Sequence, residues 1–587
     1  MSRLENNLQA WAKHHPKEAV LLQYFPVKES SGISLEQVEK WFSGIELAGC
    51  DLLYIYGAQE GLPFLAAKNW LAQDSKRQLI LLEDDLCAIR SVFETEAGDK
   101  IVASPQAEIH FFESLEESER IFNRIFWKFP HLEIQVACSP CYQVEKQERF
   151  AELSHKLFYD AAMKKTNLKE YLSGGTLFFK NFYQNLLQLP KASTGQALFG
   201  KFQNVPAIIC GAGPSLGKQL SLLGSLTKKA LLFGGSSSLT ALDAAGIRPH
   251  FGAGIDPNEG QLCRLKGISE LTYPFLYRNR FCPDALKLVK GPRIYISGSG
   301  GYDVAGWFEE KLQIPTESIE EGQNVINFCL ELAHLFGCNP IIFVGMDLAY
   351  TEDQYYAPGI FEENKFSLSS YKSSSPDNLP LQRNDIFGKP VWTHWKWVAE
   401  SKWIADFAKE NTHVKVINAT EGGLGFAGVD NQTLKEVAKE HLRETYNFEI
   451  EKFIETGRLC KVSEKRVLEV AKELKESLIS CVEHLRVLSE ENGKMVKLMQ
   501  EGNAPEITQS GLAALAEIEL ETESGWQAVL SIFNEVIAHL FLRDLENLAK
   551  IEDKREKTLK RLSLNQQKFS LLKEIAESNL GLLLPIF

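Results

Sequence analysis

The residues best suited to chemistry lie between positions 206 and 424. Pro206-Ala-Ile-Ile-Cys210 reads as a short apolar strand running into Gly211-Ala212-Gly213-Pro214-Ser215-Leu216. A strand that ends in Gly-x-Gly before a helix turns backbone N–H groups toward the helix N-terminus, and the glycines let a ligand approach the backbone. The turn therefore predicts an anion site suited to a nucleotide phosphate. Pro214 fits a first helical turn, where its missing N–H costs nothing, and Ser215 adds a hydroxyl donor. No Gly-Lys-Ser/Thr follows, so this is not a Walker A loop. The same pattern also serves a plain strand–turn–helix.

Four further turns fall on the same expected edge. Ala230–Gly235 reads as a strand ending in a serine cluster that includes Ser237. Gly252-Ala-Gly-Ile-Asp256-Pro257-Asn258 places Asp256 at a strand's carboxyl end, where open α/β sheets bind ligands. The alternative is a turn in which Asp256 caps the next helix. Glu321-Gly322-Gln323-Asn324 opens an apolar helix that closes near Gly337, and the strand over 339–344 ends in Gly345-Met346-Asp347.

The elements that must hold these residues point to an α/β protein with two Rossmann-like regions and a C-terminal α-helical bundle. Residues 1–145 read as the first α/β region. A buried strand at Cys50–Tyr56 is followed by Gly57 and Gly61, a helical stretch at Leu65–Leu71, and a second strand at Gln78–Glu83. This is the order of a dinucleotide-type half, without the GxGxxG spacing. Residues 146–199 read as an aromatic helical linker with a break at Gly174-Gly175. Residues 200–430 form the central nucleotide-binding region. From 431 to 587 apolar residues recur at helical spacing, as at Val467, Val470, Leu474 and Leu478, with a loop over 502–510. The Ser-rich tract Ser367–Ser375 reads as a loop.

Composition narrows the class. The net charge of −13 opposes a protein whose main work is gripping nucleic acid. The start, MSRLENNLQAWAKHH, lacks a charged-then-apolar leader, and no stretch is long enough to span a bilayer, so a cytoplasmic protein is expected. Eleven cysteines cannot all pair; most are expected as buried free thiols. Cys138 and Cys141 form a lone CxxC with no second pair or nearby His pair, so no metal site is expected.

Taken in order, CGAGPSL, SSSLTALDAAGIRPHFGAGIDP, EGQNVINFCLELAHLFGCNPIIFVGMDLAY and NATEGG at 418–423 resemble the motility-associated-factor (Maf) glycosyltransferase family. The central domain of that family is related to archaeal 6-hydroxymethylpterin diphosphokinase and is similar to bacterial sialyltransferases. Met346 departs from the Gln expected in many members. The resemblance implies transfer of a nonulosonic, sialic-acid-like sugar from a CMP-activated donor to Ser or Thr hydroxyls of a protein such as flagellin, with no cofactor. It implies nucleotide contacts at Gly211, Ala212, Gly213, Pro214, Ser215, Leu216, Ser237, Asp256, Gly322, Gln323, Asn324 and Asp347.

It also implies phosphate contacts from Tyr350 and Tyr356, a base at His394 in Val391-Trp-Thr-His-Trp-Lys-Trp397, and a catalytic role for Asp256. Phenol hydroxyls can donate to a departing phosphate without a metal, and His suits proton transfer near neutrality. His250 looks structural. Glu421 is either a cap or a ligand contact. The C-terminal helices would dock the acceptor or form a homo-oligomer. The alternatives are a diphosphokinase using ATP and Mg²⁺, held by Asp256 and Asp347 if they converge, and a non-catalytic nucleotide-binding scaffold.

Overall fold

The computed structural model describes residues 2–30, 32–116, 118–298, 300–317, 319–322, 324–360, 365–369, 380–501 and 510–587. The chain divides into two compact units. One comprises Met1–Lys169 with Ala538–Asn547, and the other Glu170–Ile537 with Leu548–Phe587.

The first unit is built on four parallel strands: β1 (Leu52–Tyr56), β2 (Gln78–Glu83), β3 (Ala107–Phe111) and β4 (Ile134–Cys138). Their order is β3-β2-β1-β4. Leu52 to Tyr56 are all buried, as are Gln78 to Glu83. A parallel sheet covered by helices on both faces selects such continuous apolar runs. The helix after β1, Leu62–Gln73, starts from Gly61 at a left-handed φ of 85°. An added Cβ there would meet the Ala97 Cβ at 2.6 Å.

The second unit holds a nine-stranded parallel sheet. Its strands are β5 (Ser193–Thr194), β6 (Ala207–Cys210), β7 (Leu231–Gly235), β8 (Phe251–Gly254), β9 (Phe275–Tyr277), β10 (Arg293–Tyr295), β11 (Ile341–Val344), β14 (Val416–Asn418) and β15 (Asp430–Asn431). An antiparallel hairpin of β12 (Pro380–Asn384) and β13 (Pro390–His394) lies outside the sheet. The sheet order is β15-β14-β11-β6-β7-β8-β9-β10-β5. The chain runs outward from β6 through β10, then returns to place β11 on the other side of β6. The carboxyl ends of β6 and β11 therefore flank a topological switch point, where ligands bind in folds of this kind.

The central core joins Ile209, Phe233, Phe251, Leu276 and Phe343 of the sheet to Phe328 and Leu332 of helix Val325–Leu335 and to Phe336, which caps that helix. The linker residues form helices Gln147–Leu172 and Thr176–Leu186, with Gly174 and Gly175 at left-handed φ between them. C-terminal helices Glu464–Gln500 and Lys554–Leu583 pack together, and Asn492 Nδ2 donates to the Leu562 carbonyl and to Gln566 Oε1, each at 2.9 Å. The apolar tail is split: Leu583 and Ile586 are buried, whereas Leu584 and Phe587 are exposed. All eleven cysteines are free thiols. Among the described residues, no helix is long and apolar enough to cross a membrane. Most of the Ser-rich tract and the loop over 502–509 fall outside the described residues.

Candidate active site at the carboxyl edge of the large sheet

The switch point is closed by the chain itself. Gly211 N–H donates to the Val344 carbonyl at 2.8 Å and Gly213 N–H to the Gly345 carbonyl at 2.7 Å. Ser215, expected to meet a phosphate, directs both its N–H (3.3 Å) and its hydroxyl (2.7 Å) to the carboxylate of Asp347. Leu216 N–H turns back to the Gly213 carbonyl. The N–H groups of Gly211, Gly213, Ser215 and Leu216 are thus bonded to protein acceptors, and the carboxylate of Asp347 sits at the start of helix Leu216–Ser225. Burial pushes the Asp347 pKa upward, while hydrogen bonds from Ser215 and Thr351 oppose the rise.

The glycines here are required by close approach. A Cβ on Gly213 would lie 2.1 Å from Asp347 Oδ2, and one on Gly423, at φ 71°, would lie 1.9 Å from the Asp347 carbonyl oxygen. Glu421 is a cap: its carboxylate accepts from Leu434 N–H at 2.9 Å, at the start of helix Leu434–Glu440. His250 is structural. Its Nδ1 accepts from Leu232 N–H at 2.9 Å, and burial drives its pKa down to about 4.

An aromatic group adjoins this turn. Ala357 N–H donates to the Ala212 carbonyl at 2.9 Å, which sets the neighbouring Tyr356 beside the glycine turn. Strand β13 is tied to the loop after β11: Thr393 Oγ1 donates to the Leu348 carbonyl at 2.7 Å, and Tyr350 N–H to the Trp392 carbonyl at 2.9 Å. These bonds bring Tyr350 and His394 together, with ring centroids 6.3 Å apart. His394 stacks on Trp397 at 4.1 Å, and Tyr350 stacks on Phe366 at 3.9 Å. Burial and Lys396 drive the His394 pKa down to about 3, so its imidazole is neutral at any physiological pH.

A second group lies after β8, β9 and β10. Asp256 is half-buried and accepts from Gln261 Nε2 at 3.1 Å. Arg280 donates from Nε to the Ile255 carbonyl at 3.0 Å and pairs with Glu321. Arg278 reaches the other oxygen of Glu321 at 3.0 Å and lies over the Phe328 ring at 5.6 Å. Burial lowers the pKa of each guanidinium to about 10, so both stay charged. Asn324 caps helix Val325–Leu335, its Oδ1 accepting from Ile326 N–H (2.8 Å) and Asn327 N–H (2.9 Å). Gly322 has φ 65°, and a Cβ there would meet Asn327 at 2.3 Å. Gln323 lies outside the described residues. Ser237 is half-buried, whereas Ser236 and Ser238 are buried and Ser238 Oγ bonds the Gly235 carbonyl. Glu400 is buried in helix Trp395–Glu410, and burial pushes its carboxyl pKa up to about 7.

Arg278, Arg280, Lys396 and Glu400 were not anticipated from sequence. The usable signal was the Arg-Asn-Arg that follows Phe275–Tyr277, in the same place as the polar residues after the other strands. The two acids of the metal-dependent reading have separate partners, Ser215 for Asp347 and Gln261 for Asp256. Among the described residues, no three His, Cys, Asp or Glu side chains are placed to share a cation.

Comparison with known proteins adds two findings. A family model described as 6-hydroxymethylpterin diphosphokinase MptE-like matches residues 180–353. The fold is similar to the solved structure of a Maf glycosyltransferase from Magnetospirillum magneticum AMB-1, with a TM-score of 0.52 and 11% identity, covering 100% of this chain and 97% of that one. No curated protein sequence matches the chain.

Proposed function

We propose that the chain is a glycosyltransferase that moves a nonulosonic sugar from a CMP-activated donor to a Ser or Thr hydroxyl of a protein such as flagellin. The observation that carries this reading is the extent of the fold likeness, which takes in both units of the chain. The site chemistry agrees. Departure of CMP leaves negative charge on a phosphate. The guanidiniums of the buried Arg278 and half-buried Arg280 and the phenols of Tyr350 and Tyr356 supply positive potential and donors along one edge, and fixed donors in a water-poor site are worth more than the same groups in water. The glycine turn, closed by Asp347, forms a wall of the nucleotide site. His394, neutral and stacked on Trp397, serves as a hydrogen-bonding group near Tyr350. The C-terminal helices dock the acceptor.

The family-model match favours a second reading, an Mg²⁺-dependent diphosphokinase acting on a hydroxymethyl pterin. The separate partners of Asp256 and Asp347 weigh against it. A thermal-shift panel with CMP, CDP, UDP, GDP, ADP and ATP, each with and without Mg²⁺, separates the readings, because a ligand that binds only the native state raises the melting temperature. Stabilisation by CMP without metal is expected. Stabilisation by ATP only with Mg²⁺ would replace the transferase with the kinase, and no shift at millimolar nucleotide would leave a scaffold.

A further inference from the structure

Helices Glu464–Gln500, Gly511–Thr522 and Lys554–Leu583 of the second unit enclose a cavity of about 350 Å³. That volume falls in the range of roughly 300–1,000 Å³ found for small-molecule sites. Arg561, Asn565 and Lys568 line it from the third of these helices. Their spacing of four and then three residues puts them on one helix face. Among the described residues, none of the three has a hydrogen bond or an ion pair. Other cations of this bundle are paired: Arg486 meets Glu483 at 2.6 Å, and Lys472 and Lys573 meet Glu476 and Glu577 at 3.6 Å each. Lys568 is half-buried, and burial lowers its pKa against the pull of Glu517 and Glu521 on the facing helix. A cation held away from water without a counter-ion costs stability. The acids lining the cavity do not supply one. Glu491 pairs with Lys494 and accepts from Ser510 Oγ at 2.7 Å, and Glu517 makes no ion pair with Lys568. Met495 and Phe569 give the cavity an apolar wall.

We propose that this cavity binds a sugar acid, with Arg561 and Lys568 on its carboxylate and Asn565 on its hydroxyls. Each group has its counterpart in that chemistry. Guanidinium and ammonium groups donate to a carboxylate in the stronger, charge-assisted form of hydrogen bond. A free side-chain amide both donates to and accepts from hydroxyls. The C–H face of a sugar ring can lie against Met495 and Phe569. The site shares no residue with the candidate active site, and the assignment does not rest on the transferase reading. The sugar acid can be free or already linked to a protein, since both forms present the same carboxylate and hydroxyls.

The test is titration calorimetry of the full chain with N-acetylneuraminic acid, its methyl ester, its α-methyl glycoside and acetate. The acid should bind. The ester, which lacks the charge, and acetate, which lacks the hydroxyls, should each bind about tenfold or more weakly. Binding of the glycoside as tight as that of the free acid would mark a protein-linked sugar as the ligand, and binding of the free acid alone would mark the free sugar. Arg561→Met and Lys568→Met should each lower affinity for the acid about tenfold or more. Both should keep the wild-type response to CMP, which separates this cavity from the sheet edge. Lys568→Met should unfold in urea at or above the wild-type midpoint, because an uncompensated cation is gone, so its loss of binding is not a loss of fold. No binding of the acid, equal binding of the ester or of acetate, or wild-type affinity in both variants would overturn the proposal. A wild-type protein that binds the sugar acid but does not respond to CMP would overturn the transferase reading and leave this site standing.

Discussion

Both parallel sheets of this protein plant a carboxylate of their own at the turn after a central strand, but they bring it from opposite sides. In the small sheet the acid is Glu83 at the end of β2. It accepts from Ala58 N–H at 2.9 Å and from the Tyr142 hydroxyl at 2.6 Å. In the large sheet the acid is Asp347, which follows β11 on the far side of the switch point. In both, the acid accepts a backbone N–H of the turn.

The difference lies in what surrounds each turn. At the small sheet a Cβ on Gly57 would lie 2.2 Å from Ser139 Oγ, and the cations nearby, Lys146, Arg149 and Lys28, are paired to Asp84 and Asp85. At the large sheet the edge continues past the turn into Arg278, Arg280, Asn324 and the half-buried Asp256. A closed glycine turn is therefore compatible with either a filled cleft or a working one. The loops beyond it decide which.

The largest expected effect comes from removing the two internal acids. Asp347→Ala would strand the Ser215 N–H and hydroxyl in a buried site, and Glu83→Ala would strand Ala58 N–H and the Tyr142 hydroxyl. At about 1–3 kcal/mol for each orphaned group, urea denaturation should show a loss of several kcal/mol for each variant. Only Asp347→Ala should also lose stabilisation by CMP. If Glu83→Ala loses it too, the small sheet has a ligand role and the contrast fails.

A smaller effect should follow from the cations. Arg280→Met keeps the stem and removes the charge beside Asp256 and Glu321, and CMP affinity should fall about tenfold or more by titration calorimetry, as for loss of a charge-assisted contact. Lys146→Met, at the small sheet, should leave CMP affinity unchanged. Equal losses in both would mean that the nucleotide responds to overall charge and not to the edge after β9.

Much of this architecture was legible because parallel strands are buried on both faces and stand out as apolar runs ending in glycine or a polar residue. Cys210-Gly211, Gly254-Ile-Asp256 and Val344-Gly345 were visible in this way. Strand β9 was missed because it is three residues long. The bond between Ser215 and Asp347 spans 132 positions, so nothing local shows that one expected ligand group consumes the other. Glu400 lies in Trp-Lys-Trp-Val-Ala-Glu-Ser-Lys-Trp, which on the page is an ordinary charged helix. Only the folded packing shows that this acid is buried.

The last effect concerns pH and sharpens the contrast from the small sheet's side. Burial pushes the Glu83 pKa up to about 7 from an ordinary 4.5, although Tyr142, Ala58 and Lys146 oppose the rise. An acid whose folded pKa is raised favours the folded state fully only below its unfolded pKa. Stability is lost as pH climbs from about 4.5 through 7, because the unfolded chain releases that proton first. The shift corresponds to about 3 kcal/mol at most. Glu83→Gln should flatten this part of the stability-versus-pH curve and match or exceed wild type at pH 8, with CMP stabilisation unchanged. Glu400→Gln should flatten the curve over the same window for the same reason.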